Sequence, residues 1–256
     1  MMNSANTIGN ATKLYGFISE YAQQNRMSVS LNRLFKADGI NMMMIPMNIR
    51  EDDFFFTLSN MKKSHVNGAM IAQEYRQNVI ELLDESSDFV RKTGFCDFVR
   101  VDNALLKPLR ITPIAIKEKL KALHVKRVAI IGTTPLAYAL ALDLREYECA
   151  FFDPYIEELM KLSESVGIEI DINRISDDMS IDLSSFDILI NASDLEDFSM
   201  IKAFPACVIS LHVNDTTNLK SLTQASCLEY IDYEMMLEDL SKTAYAIITK
   251  EYKNEY

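Results

Sequence analysis

Apolar positions recur in a fixed rhythm over the second half of this chain. Short apolar runs occupy residues 128–131, 149–153, 168–172, 187–191, 207–211 and 227–231, and the stretches between them carry apolar residues at helical spacing. That alternation predicts a parallel sheet covered on both faces. Its best-defined unit starts at Val128. Four apolar residues read as a buried strand, Gly132 breaks it, and Thr133, Thr134 and Pro135 form a turn. Leu136, Ala137, Leu140, Ala141 and Leu144 then recur at helical spacing. A threonine N-cap with proline at the first helical position suits a helix start. Strand, tight turn and helix in this order open a dinucleotide-binding unit, in which the helix N-terminus faces a pyrophosphate.

The first half mixes its signals. Residues 13–18 read as a strand. Residues 28–37 read as a helix with Leu31, Leu34 and Phe35 on one face, stopped by Asp38-Gly39. Residues 40–49 are strand-like and hold Met42, Met43, Met44 and Met47, which suit core filling better than a ligand box. Residues 51–62 form a helix opened by acids and closed by Lys62-Lys63, as the helix dipole favours. A short strand at 69–72 and a helix at 73–85 follow. Runs 95–101 and 105–111, joined by Asp102-Asn103, read as a hairpin. Pro113 starts a connecting helix over 114–123. A last helix spans 234–251, with Met236, Leu237, Leu240, Ala244, Ile247 and Ile248 on its apolar side. The pattern predicts an α/β protein of two domains: an α/β domain over 1–112 and a Rossmann-like parallel sheet over 113–233.

Composition narrows the chemistry. The chain has 256 residues, 48% of them hydrophobic, enough for a full core. A net charge of −11 disfavours nucleic acid and anionic membrane surfaces as partners. Residues 1–12 are Asn/Ser/Thr-rich, expected to be frayed, and carry no signal-peptide core; no run reaches membrane-span length. The cytoplasm is therefore the expected compartment. The four cysteines, Cys96, Cys149, Cys207 and Cys227, have no short spacing and sit in apolar runs, which predicts buried free thiols and no metal site. His65, His124 and His212 are scattered over three elements without metal-ligand spacing.

The order of parts resembles the shikimate dehydrogenase family over nearly the whole chain. Gly16-Phe17-Ile18 matches the end of that family's first strand. Residues 28–41 match its "PLxHNxxFxxxGL" helix, with Asn32, Phe35 and Gly39 in register. Gly94 falls on the glycine of "GAVNT", and Met236-Leu237 on "MLxxQ". The resemblance implies an N-terminal substrate domain, a nicotinamide-binding Rossmann domain, a C-terminal helix that returns to the first domain, and a small-molecule ligand in the cleft between the domains.

The polar positions depart from that pattern. The family's carboxylate-holding "HSxSP" falls on Gln24-Asn25-Arg26-Met27-Ser28, so Met27 stands at the second serine and Ser28 one place beyond. "NVTxPxK" falls on residues 68–74: Gly68, Met70 and Ala72 replace asparagine, threonine and proline, and Glu74 replaces the catalytic lysine. The asparagine of "GAVNT" becomes Asp97. The aspartate of "NTD", the lysine's partner, falls near Thr112, and the glutamine of "MLxxQ" becomes Leu240. Asn25, Ser28, Met70, Asp97, Thr112 and Leu240 are thus the expected cleft residues. Oxidising a secondary alcohol requires a group that accepts the hydroxyl proton. Glu74 can serve only if burial raises its pKa; otherwise it is simply an acid favoured in a first helical turn. Each lost donor in a buried site weakens carboxylate binding by about 1–3 kcal/mol.

The cofactor turn departs too. The family's "GxGGxxxA" reads Gly132-Thr133-Thr134-Pro135-Leu136-Ala137 here, keeping one glycine. The missing glycines serve close backbone approach to the pyrophosphate and close helix packing, and Pro135 removes one N–H donor. Asp153 ends its strand about 20 residues beyond Gly132, where an acid can bind a ribose 2′-hydroxyl and select NAD; beside Pro154 it can equally be the N-cap of the next helix. Asn191, after the fourth strand, is placed by topology at the rim where Rossmann folds meet the nicotinamide. Three functions remain open: a shikimate dehydrogenase-like protein without the ordinary activity that binds another small molecule, a nucleotide or a protein partner; a divergent NAD-dependent oxidoreductase acting on a different, less anionic substrate; and a protein-interaction module, for which Met27, Met70 and Leu240 make the cleft more apolar. A homodimer is an expectation from size and fold class alone.

Overall fold

The computed structural model describes residues 11–212, 216–226 and 228–254, with side chains to residue 250. Expectations for residues 1–10 and for Cys227 lie outside the described residues. The chain divides into two compact units, Met1–Ala115 with Leu237–Tyr256, and Ile116–Met236.

The first unit is built on a five-stranded sheet. Its strands are β1 (Lys13–Ser19), β2 (Met42–Asn48), β3 (Val66–Ile71), β4 (Phe98–Asp102) and β5 (Leu105–Leu109), in the order β2-β1-β3-β4-β5. β1 pairs in parallel with β2 and β3, whereas β4 and β5 pair antiparallel. The hairpin turn places Asn103 at φ 49° and Ala104 at φ 62°, so its central residues lie one place later than Asp102-Asn103. Both edges are guarded. Proline cannot donate to a ladder and is confined to edges; Pro46 lies in β2 and Pro108 in β5. On β2, Asn32 donates to Met44 O at 2.8 Å and accepts from Met44 N at 2.7 Å. On β5, Asp84 accepts from Leu106 N at 2.7 Å and its own N–H donates to Leu106 O at 3.1 Å. Covered edges have no free ladder to offer another chain.

Helix α1 (Met27–Ala37) buries Met27, Leu31 and Phe35, spaced four apart on one stripe. Helix α2 (Glu51–Met61) buries Phe54, Leu58 and Met61 against Ile18, Ile71, Val99 and Leu106 of the sheet. Met42 and Met44 are buried in the core. Residues 73–85, expected as one helix, form two 3-10 turns, Gln73–Tyr75 and Asn78–Leu82. Tyr75 explains the break: its ring stacks on Phe54 at 4.6 Å and its hydroxyl donates to Ile49 O at 2.7 Å, which pulls this point of the segment onto the core. A six-residue helix α3 (Asp88–Thr93) follows, capped by the Ser87 side chain and ended by Gly94 at φ 62°. It is too short to show a helical period in the sequence. Helix α4 (Thr112–Ala122) then leads into the second unit.

In the second unit the strands β6 (Arg127–Ile131), β7 (Glu148–Asp153), β8 (Asp171–Arg174), β10 (Ile188–Asn191), β12 (Cys207–Ser210) and β13 (Glu229–Ile231) form one sheet, in the order β13-β12-β10-β6-β7-β8. Every pairing in it is parallel. Helices α5 (Pro135–Asp143), α6 (Ile156–Val166) and α7 (Leu219–Ala225) connect them. Alternate residues Ala129, Ile131, Ala150, Phe152, Leu189, Val208 and Tyr230 share one core cluster. Their neighbours Val128, Ile130, Phe151, Ile188, Ile190 and Ile209 are equally buried, as a strand covered on both faces requires. β8 lies three residues later than expected. Gly167 ends α6 in the left-handed region and the Ser163 hydroxyl reaches Ile168 O, so the helix cap takes up the start of the apolar run. A two-stranded parallel pair, β9 (Ile181–Asp182) with β11 (Ile201–Ala203), gives no sequence signal at that length. The last helix, α8 (Tyr233–Asn254), returns to the first unit: the Ser241 hydroxyl donates to Ser30 Oγ at 2.8 Å, and Tyr245 packs on Phe35 and donates to Asp38. Among the described residues no helix is long and apolar enough to cross a membrane.

Asn32→Ala should lower unfolding free energy by about 2 kcal/mol, because Met44 N–H and C=O both lose their partner on a nearly buried strand. Urea denaturation followed by circular dichroism measures this; an unchanged midpoint would show that water replaces the side chain at no cost.

Candidate functional site

In the second unit the turn after β6 meets the loop after β10, at the point where the strand order reverses. Gly132 has φ +110°, and a Cβ there would lie 2.2 Å from Ala192 O and 2.5 Å from Ser193 Cα. Only glycine fits. This glycine is therefore explained by backbone meeting backbone within the protein. Its own N–H donates to Phe152 O at 2.8 Å. Thr134 stands at the helix N-cap in extended conformation, but its hydroxyl caps nothing; it donates to Ala192 O at 2.7 Å and ties the turn to the β10 loop. The expectation of a threonine side-chain cap is corrected accordingly. Ala137 N and Tyr138 N both turn back on Thr134 O, at 2.8 and 3.3 Å. Among the described residues, the N–H groups of Thr133, Thr134 and Leu136 have no internal acceptor. They are the donors that a phosphate at the start of α5 would use.

Asp153 ends β7, is 6% exposed, and accepts from the Thr133 hydroxyl at 3.0 Å and from Tyr155 N at 2.9 Å. The bond to Tyr155 is a turn two residues on. Helix α6 starts later, at Ile156, with Tyr155 in the N-cap position, so Asp153 is not the helix cap. Burial pushes its carboxyl above the ordinary aspartate range, while the Tyr155 and Thr133 donors pull it down. A cavity of about 390 Å³ begins at the next residue, lined by Pro154, Tyr155, Arg174, Ser176, Leu195 and Met200 among others. Asn191 is 2% exposed; its Oδ1 accepts from Ser193 N at 3.1 Å and from the Ser193 hydroxyl at 2.7 Å, and Nδ2 lies 3.4 Å from Ser210 Oγ. Gly132, Thr133, Thr134, Asp153 and Asn191 are thus assembled at one end of one sheet. Ser193, beside Asn191 on the same rim, lies with them; Arg174, the last residue of β8, and Tyr155, from the loop after β7, were not among the expected residues.

In the first unit the expected residues serve the scaffold to different degrees. Asn25 Oδ1 accepts from Met27 N at 2.8 Å at the start of α1. Ser28 is 3% exposed and its hydroxyl has no partner. Met70, in β3, and Leu240, in α8, are buried core side chains. Asp97 is fully buried and spends both oxygens on main chain: Oδ1 accepts from Ile111 N and Oδ2 from Thr112 N, each at 2.7 Å. It pins the start of α4, where a carboxylate also suits the helix dipole. Glu74 lies in a 3-10 turn, not in the first turn of an α-helix. It is exposed, and Oε1 accepts from the Ser19 hydroxyl at 2.6 Å and from Glu20 N at 3.2 Å. It lacks the buried setting that a base role requires. Arg76, two residues on, was not singled out by its sequence context; its Nη2 reaches Thr112 Oγ1 at 3.4 Å. Its signal was an arginine placed between core residues Tyr75 and Val79. Cys96, Cys149 and Cys207 are free, and burial pushes each thiol up to about 12, which leaves no nucleophilic thiolate at neutral pH. No cluster of three metal-ligating side chains occurs among the described residues.

A two-unit α/β chain with a parallel sheet, a glycine turn after its first strand and an acid ending the second has a Rossmann-like architecture. Sequence and fold comparisons place it more closely. No family profile matches the chain. A shikimate dehydrogenase (NADP+) of Pyrococcus furiosus is 29% identical over 87 residues, 34% of this chain and 32% of that protein. That of Streptococcus suis is 26% identical over 180 residues, 64% of this chain and 62% of that protein, so the chain spans less than two thirds of either. Among solved structures, shikimate 5-dehydrogenase of Thermus thermophilus in complex with NADP(H) and shikimate superposes with a TM-score of 0.72 at 16% identity, covering 93% of this chain and 94% of that one. The ligand-free 5-ketofructose reductase of a Gluconobacter strain does so with 0.72 at 17%, covering 93% of each. In sequence kinship and in fold the chain is shikimate dehydrogenase-like.

Gly132→Ala should destabilise the second unit by about 2–4 kcal/mol, since the added methyl overlaps main-chain atoms that cannot rotate away and the backbone is left-handed there. Denaturant titration measures it. A loss under 1 kcal/mol would mean that the β10 loop yields freely.

Proposed function

We propose that the second unit binds a nicotinamide dinucleotide, with NAD preferred, and that the chain is a shikimate dehydrogenase-like protein without ordinary shikimate dehydrogenase activity whose ligand is another small molecule. The relatives are named for NADP+, and the unspent N–H groups of Thr133, Thr134 and Leu136 suit a phosphate. Asp153, with its ordinary partners made through single bonds to each oxygen, keeps lone pairs for ribose hydroxyls and repels a 2′-phosphate. When bound, the nicotinamide ring supplies hydride transfer.

The observation that carries the loss of ordinary activity is Glu74. The residue aligned with the catalytic lysine is an exposed carboxylate occupied by the Ser19 hydroxyl, and the residue aligned with that lysine's acidic partner is Thr112, whose N–H is held by Asp97. Neither can exchange a proton with a substrate hydroxyl in the way a lysine–aspartate pair does. A second reading, a divergent NAD-dependent oxidoreductase acting on a non-shikimate substrate, is favoured by Asp153 alone.

Calorimetric titration should show NAD binding more tightly than NADP, with Asp153→Ala abolishing the preference. Purified protein should not oxidise shikimate with either cofactor; turnover at rates ordinary for such enzymes would overturn the proposal. Turnover of another alcohol would select the second reading.

Proton linkage gives an independent check. Asp153 is raised in the folded chain, so the folded state holds a proton that the unfolded chain releases. Its contribution to stability is full below its unfolded pKa and is lost as pH rises through the folded value. Hydroxyl donors from a ribose favour the ionised form, so NAD should release protons on binding in the pH window around the raised folded pKa of Asp153. Enthalpies in buffers of different ionisation heat measure the release; Asp153→Asn should remove it.

A further inference from the structure

The first unit holds a cation whose charge the protein does not answer. Arg76 follows the 3-10 turn Gln73–Tyr75, and its position is fixed by Tyr75, which is buried on Phe54 and bonded to Ile49 O. The Arg76 side chain is half-buried. Its Nε has no solvent access and no hydrogen-bond acceptor. Nη2 reaches Thr112 Oγ1 only at 3.4 Å, the long limit of a hydrogen bond, and the guanidinium lies 5.4 Å from the centre of the Phe95 ring. No described carboxylate is within 4 Å of it. Other arginines of this chain are answered: Arg91 by Ser86 O at 2.6 Å and Asp88 at 3.4 Å, Arg127 by Ser185 O at 2.7 Å and Glu148 at 3.6 Å.

Glu74, two residues before it, and Asp97, which shares Thr112 with it, are engaged elsewhere. Glu74 turns to the Ser19 hydroxyl and Glu20 N–H. Asp97 gives one oxygen to Ile111 N–H and the other to Thr112 N–H. Thr112 is therefore gripped from two sides, by Asp97 at its N–H and by Arg76 at its hydroxyl, where the eleven-residue helix α4 begins. A guanidinium taken partly out of water without an acceptor is costly, and a buried donor left unpaired calls for a reason. With Nε closed to solvent and Nη2 held only by the long Thr112 contact, the Nη groups are what an incoming oxyanion would engage, answering the charge of the guanidinium. The guanidinium fork matches a carboxylate or phosphate with two parallel charge-assisted bonds.

We propose that Arg76 is the anion-binding side chain of the first unit and that the small molecule bound there carries an oxyanion, a carboxylate or a phosphoryl group. This extends the proposed small-molecule role and changes its chemistry. Glu74 argues for a less anionic ligand, whereas Arg76 provides a cation two residues away. The site is read without nucleotide, so its failure and that of the NAD reading are separable.

The test titrates the full chain with sodium acetate and, separately, with inorganic phosphate, replacing chloride at constant ionic strength. The Arg76 Nε–H signal, assigned by its loss in Arg76→Lys, is followed by nitrogen–proton NMR together with the thermal midpoint. A saturable shift of that signal with a rise in midpoint is expected. Arg76→Gln should weaken the response at least tenfold, and Arg91→Gln, at a surface arginine, should leave it unchanged. Tighter binding of acetate assigns a carboxylate, and of phosphate a phosphoryl group. A signal that moves with neither anion, or only linearly as for an adventitious ion, overturns the proposal without recourse to any variant. Equal responses from the wild type and Arg76→Gln overturn it as well.

Discussion

The second unit is organised by the contact of two backbones. Gly132 and the Ala192–Ser193 peptide approach so closely that no Cβ fits between them, and the Thr134 hydroxyl closes the same contact by donating to Ala192 O. The turn after β6 and the loop after β10 are the two sides of the point where the sheet reverses its strand order, the usual place for a ligand in open α/β sheets. Much else follows from this closure. It fixes where α5 starts, brings Thr133 to Asp153, and sets Asn191 and Ser193 beside the same rim. It also explains why one glycine of a three-glycine turn is enough to keep the fold. That glycine answers to the protein's own backbone. The two absent ones would have answered to a pyrophosphate and to helix packing, and in their place stand Thr134, which bonds the loop, and Pro135, which starts the helix.

The first unit depends in the same way on a carboxylate. Asp97 lies at no solvent exposure and is tolerated because two main-chain donors, at the start of α4, take its two oxygens. An asparagine in the same pose would set its Nδ2 donor against one of these two N–H groups, so the acid suits the place better. Glu74 serves the scaffold in the same way, since its carboxylate closes the end of β1 through Ser19 and Glu20.

The architecture was legible because it is carried by many weak, repeated signals. Six apolar runs gave the parallel strands, and the helical spacing of Leu31, Leu34 and Phe35 gave α1 within one residue. What escaped had no repeat to show. Helix α3 is six residues long, β9 and β11 are two and three, and residues 73–85 carry a helical pattern that Tyr75 overrides by bonding to Ile49 O. The site was legible in a narrower sense. Gly132, Thr133, Thr134, Asp153 and Asn191 do converge, because topology alone places strand ends together. Their partners could not be read, since hydrogen bonds such as Thr134 to Ala192 join residues 58 apart. Arg76 gives no such signal, because a one-dimensional register does not say which of two neighbouring charges is drawn toward the core.

Substituting the polar positions of a site while leaving its apolar frame alone is cheap in stability when each new side chain finds local partners. Asp97, Glu74 and Asn25 each do so with main-chain groups within the first unit. An apolar frame can then stay the same whatever chemistry its polar positions carry, and likeness of fold loses its power to name a reaction. A 5-ketofructose reductase and a shikimate dehydrogenase superpose on this chain equally well. Discrimination has to come from the groups that remain unsatisfied once the protein's own bonds are counted. Among the described residues these include three turn N–H groups, a buried Ser28 hydroxyl and the Arg76 Nε. Two of these three are donors only, and the hydroxyl can donate as well. Such a set is complementary to acceptors, which is why an oxygen-rich, negatively charged partner fits the residual chemistry of both units better than a cation or an apolar body.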